Sequence, residues 1–87
     1  MNPEAQIEFA KECMAAGEEQ RAVAAFRRAL ELDPSSPYYL QELIRAYWQV
    51  GIREQLRPLV DFGLRVDPSN QVFQQFDLAL KSQATTA

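Results

Sequence analysis

The sequence predicts an all-α chain: an α-α superhelix, or solenoid, of two helix–turn–helix units followed by a fifth, solvating helix. Two observations predict this class. Apolar residues recur at helical spacing in five successive stretches, and no stretch alternates with period two over a useful length. A helix-length segment also occurs twice in register. It begins at Gly17 and ends Leu30-Glu31-Leu32-Asp33-Pro34-Ser35, then begins again at Gly51 and ends Leu64-Arg65-Val66-Asp67-Pro68-Ser69, a period of 34 residues.

The first helix opens at Asn2-Pro3, where Asn caps and Pro suits the first helical position. Ala5, Phe9, Ala10 and Cys13 form its expected apolar face, and Gly17 stops it. The second runs from about 18 to 32, with Ala22, Ala25, Phe26, Ala29 and Leu30 inward, and ends where Asp33 precedes a proline. Ser36-Pro37 repeats the cap-and-proline opening. The third helix, about 37–50, directs Tyr39, Leu40, Leu43, Ala46 and Tyr47 inward, and Gly51 stops it.

The fourth is expected over about 53–66, with Leu56, Leu59, Val60, Gly63 and Leu64 inward. Pro58 removes the hydrogen bond to the carbonyl of Glu54 and should loosen the first turn. Asp67-Pro68 closes this helix. Asn70 caps a fifth over about 71–82, with Val72, Phe73, Phe76, Leu78, Ala79 and Leu80 as its apolar residues, and Ala84 to Ala87 should fray.

Residues 1–87 therefore read as one domain: unit one 3–36, unit two 37–70, a cap helix 71–82 and a tail 83–87. The chain has 87 residues, 47% hydrophobic and 24% charged, with net charge −3. That is a globular composition with no bulk attraction to nucleic acid or an anionic membrane. No signal-peptide pattern or membrane-length apolar run is visible, so a cytoplasmic protein is expected.

The period and its residues resemble the tetratricopeptide repeat (TPR) family. Its first-helix pattern is large-x-x-Leu-Gly/Ala-x-x-Tyr, followed in the second helix by Ala-x-x-x-Phe and a closing Pro. Unit one reads Gln6-x-x-Phe9-Ala10-x-x-Cys13, then Ala22-x-x-x-Phe26, Ala29 and Pro34. Unit two reads Leu40-x-x-Leu43-Ile44-x-x-Tyr47, then Leu56-x-x-x-Val60, Gly63 and Pro68. Gln6, Cys13, Ile44, Leu56 and Val60 depart from the pattern. At the ends, Glu4, Glu8 and Glu12 form a charged stripe on the first helix. Gln74, Asp77 and Lys81 occupy the face of the fifth where a further helix would pack.

No histidine, phosphate loop or Cys/His cluster is present, so no catalytic centre, metal or cofactor is expected, and Cys13 reads as a core residue. The resemblance implies a non-enzymatic protein-interaction module (adaptor, scaffold or chaperone-like) binding a peptide or helix in a concave groove lined by the first helix of each unit. Carried over by register, the partner-binding residues are Ile7, Lys11 and Met14, then Tyr38, Gln41, Arg45, Trp48 and Gln49, then Val72 and Gln75. Glu4, Ala15 and Ala79 flank them.

Trp48 either anchors a partner or packs across the groove onto the cap helix. Lys11 and Arg45 either hold an acidic stretch or pair locally with Glu8 and Glu42. The TPR carboxylate clamp is not matched, because Ile7 and Arg45 replace its residues. Arg21, Arg27, Arg28, Arg57 and Arg65 on the other face alternate with Glu31 and Asp61, which reads as a solvated surface rather than a nucleic-acid patch. The alternative function is a self-associating subunit, a homodimer through the groove or the cap helix.

Overall fold

A computed structural model describes residues 2–85, with side chains described through 82. Five helices follow one another: α1 (Pro3–Ala15), α2 (Glu19–Leu32), α3 (Pro37–Val50), α4 (Leu56–Val66) and α5 (Gln71–Thr85), with no strand among the described residues. The expectation of a frayed tail falls partly on residues 86–87, outside the described residues. Up to Thr85 the chain is helical, so α5 runs past the expected end at 82.

The local signals work as atoms. Asn2 Oδ1 accepts from the Glu4 amide at 2.9 Å, Ser36 Oγ from the Tyr39 amide at 3.3 Å, and Asn70 Oδ1 from the Val72 amide at 2.9 Å. Each supplies a partner for a donor that a helix start otherwise lacks. Gly17 and Gly51 stand at φ +80° and +83°. That left-handed turn lets the Glu18 amide reach the Cys13 carbonyl and the Ile52 amide reach the Tyr47 carbonyl, the same closure in both units. Asp33 and Asp67 also repeat one conformation, φ/ψ −144°/80° and −145°/81°, forced out of the α region by the following proline.

Each helix packs on the one before it, and α1 also touches α3. Ala22, Ala25 and Ala29 of α2, and Ala10 of α1, have no exposed surface, with Phe26 buried among them. Leu40, Leu43, Ile44, Ala46 and Tyr47 of α3 continue the core to Leu56 and Val60 of α4 and Phe73 of α5.

Four expectations change. On α1, Ala5 and Phe9 are exposed and Ile7 is 2% exposed, so the buried face is turned by less than one residue step. The reason is that α1 must meet both α2 and α3. Ile7, Ala10, Cys13 and Met14 face those two helices, while Phe9 lies outside under the Arg21 guanidinium, 5.6 Å from its ring centre.

On α4, the helix begins at Leu56, three residues later than expected. Pro58 then stands in the first turn, where a missing amide costs no helical hydrogen bond. Extending the helix backwards would press its ring on the Glu54 carbonyl.

On α5, Leu78 is 66% exposed. Asp77 is not on an open face. Its side chain is 18% exposed and binds Lys81 at 3.1 Å and Arg57 of α4, which also binds Asp61 at 2.7 Å. Arg57 thus joins α4 to α5 instead of standing on the solvated surface.

No described helix is long and apolar enough to cross a membrane.

Gly63 sets the α4–α5 approach. A Cβ there would lie 2.9 Å from two carbons of the Phe73 ring, which is fully buried. Gly63→Ala gains about 1 kcal/mol of helix propensity and loses about 1–3 kcal/mol to overpacking. A net destabilisation of about 1 kcal/mol is expected, read as a lower urea midpoint.

The Asp77 carboxyl is held below the ordinary aspartate range, by Arg57 first and Lys81 second. A lowered native pKa means a contribution present above the unfolded value, about 3.9, and lost as the pH falls through the native value. Fluorescence of Trp48, which rests on α5, should therefore report acid loosening that Asp77→Asn removes from the pH profile.

Candidate partner-binding groove

Between α1 and α3 lie two shallow cavities. One, of about 180 Å3, is lined by Lys11, Met14, Phe26, Glu42, Arg45, Ala46 and Gln49. The other, of about 230 Å3, is lined by Glu4, Ile7, Glu8, Tyr38 and Tyr39. Lys11 links them. Its ammonium donates to the Tyr38 hydroxyl at 3.0 Å across the two helices, and lies 5.7 Å from that ring's centre. The Tyr38 hydroxyl, and after it the Glu42 carboxylate, holds the Lys11 ammonium above its ordinary range.

This corrects the expected local pairing. Lys11 forms no ion pair with Glu8, and Arg45 forms none with Glu42, among the described residues. Arg45 is exposed, and its five donors make no hydrogen bond or ion pair with any described residue. The groove is consequently polar along its length. Glu4 and Glu8 mark one cavity, while Lys11 and Arg45 flank Glu42 in the other.

Of the residues expected to bind a partner, Lys11, Met14, Arg45 and Gln49 share one cavity, and Tyr38 and Ile7 the other. Ile7 contributes a buried wall rather than a free contact. Gln41, Val72 and Gln75 line neither cavity. Glu42, Tyr39, Phe26 and Ala46 line the groove although register did not name them for it. The Glu42 spacing to Arg45 was a signal, and it left a local pair and a partner contact as alternatives.

Trp48 leaves the groove. Its ring meets Phe76 of α5 edge-on at 5.5 Å, and the Arg53 guanidinium covers its other side at 3.8 Å. A cavity of about 630 Å3 also lies elsewhere, between α2 and α4.

A family model of the tetratricopeptide repeat matches residues 3–46, which include α1, α2 and most of α3 and so both walls of the groove. The chain belongs to the tetratricopeptide repeat family. Repeats of this family generally mediate protein–protein interaction. No curated protein matches this TPR chain.

Held between Arg53 and Phe76, Trp48 is expected to act on stability. Trp48→Ala should cost about 2 kcal/mol in chemical denaturation, below the full core value because the ring is only half-buried.

Proposed function

We propose that this TPR chain is a non-enzymatic interaction module, an adaptor or scaffold, that holds a peptide or helix of a protein partner in the α1/α3 groove. The observation that carries the reading is Tyr38. The residue is 47% exposed, yet its hydroxyl already accepts a hydrogen bond from Lys11. An aromatic held in place before binding loses little further freedom when a partner covers it. Two helical turns along α3, Arg45, which binds no described residue, offers its planar fork to a carboxylate. Glu4 and Glu8 suit a basic residue, so the groove favours a segment with an apolar anchor and opposite charges on its two sides.

Peptides selected from a displayed random library should depend on these residues. Tyr38→Ala and Arg45→Glu are each expected to weaken a selected peptide at least tenfold by calorimetry, with the melting curve nearly unchanged. Selected peptides that bind both variants as tightly as the wild type would remove the groove from the reading. The alternative, a homodimer, draws on the exposed Leu78 of α5. A single 9.9 kDa species in sedimentation at micromolar concentration counts against it.

A further inference from the structure

The cleft between α2 and α4 exists because the repeat is broken. By register α4 should begin at Arg53, 34 residues after Glu19 begins α2, but it begins at Leu56. The missing turn leaves an open cavity of about 630 Å3. Leu30 and Pro34 form one wall, Leu59 and Phe62 the other, and Leu43 and Tyr47 of α3 the floor. Phe62 stands where the first unit has Arg28, so a charged position has become an apolar one.

Tyr47 supplies a second, independent observation. The residue is 3% exposed, and its hydroxyl makes no hydrogen bond with any described residue. Its oxygen is nonetheless not sealed from solvent. A phenol on the floor of a cleft whose hydroxyl still meets solvent gives an entering polar group one hydrogen-bonding position on an otherwise apolar floor.

Charge says what enters. Glu31 of α2 and Glu54, in the turn before α4, bracket the apolar floor, and neither forms an ion pair with a described residue. Arg27 lines the same wall one helical turn before Glu31 and forms no ion pair with a described residue, so the cleft carries two carboxylates and one guanidinium. α2 and α4 supply most of each wall and keep their backbone hydrogen bonds internal, while Pro34, Glu54 and Gln55 at the rim are turn residues. The helical part of the α2 wall, residues 27 to 32, is about 8 Å long, about one and a half turns.

We propose that this cleft is a second docking site, separate from the α1/α3 groove, for an amphipathic helix of a partner protein. The helix would present apolar anchors at i, i+3 or i+4 and i+7, one of them an aromatic with a polar edge over Tyr47. Lysine or arginine would flank these anchors, opposite Glu31 and Glu54.

The test uses the full chain and a synthetic alanine-based helical peptide with leucine, tryptophan and leucine at i, i+3 and i+7, flanked by lysines. Titrated against labelled protein, it should shift the amide resonances of Leu30, Leu59 and Phe62. The exposed rim pair Glu31→Lys with Glu54→Lys should weaken it at least tenfold. Tyr47→Phe, which removes only the hydroxyl, should weaken it several-fold while keeping the melting temperature. Arg45→Glu should leave this probe's binding unchanged, so failure here is distinguishable from failure of the groove.

No shift at millimolar peptide, or shifts confined to Lys11, Tyr38 and Arg45, would overturn the proposal. So would a dimer of the unliganded chain that Phe62→Asp dissolves, because the occupant would then be a second copy.

Discussion

The closeness of α2 to α1, and of α5 to α4, depends on residues with almost no side chain. Ala10, Ala22, Ala25 and Ala29 let the first pair approach until all four are fully covered, and Phe26 fills the space the curvature leaves. Gly63 does the same for α5, with the Phe73 ring where a Cβ would stand. Interiors are packed closely enough that a methyl group at such points moves a helix. The spacing of the helices follows, and with it the shape of both faces: the small polar groove over α1 and α3, and the larger, open apolar cleft between α2 and α4.

Elements whose limits are set by local chemistry were legible in the sequence. Asn2, Ser36 and Asn70 cap, Gly17 and Gly51 reverse the chain, and Asp-Pro ends a helix twice in one conformation. None of these needs tertiary information. Where two signals compete, the sequence was less clear. Around Pro58 the periodicity favoured a helix from 53 and the ring opposed it, and sterics decided. On α1, Ala5 and Phe9 fit the apolar period as well as Ile7 does. Only the requirement to touch two neighbours at once selects Ile7.

The groove was half legible for the same reason. Register places Lys11, Tyr38 and Arg45 on the right helices, but it does not say that Lys11 reaches across to Tyr38 rather than along its own helix to Glu8. Nor does it say that Trp48 is covered by Arg53 and Phe76. Those are choices between contacts a few ångströms apart, settled by the crossing of the helices. The residues that depart from the repeat have a shared effect. Pro58 and Phe62 open a cleft on one face, while Trp48 and Phe76 close the contact with α5.

If small-residue contacts tie the five helices into one unit, amides on both sides of each contact should open together. Native-state hydrogen exchange tests this directly. The account predicts that Phe26 of α2, Ile44 of α3, Val60 of α4 and Phe76 of α5 exchange with one common opening free energy, equal to that of global unfolding. An opening free energy at Phe76 well below that of Phe26 would contradict it, because α5 would then detach while the rest of the chain stayed folded.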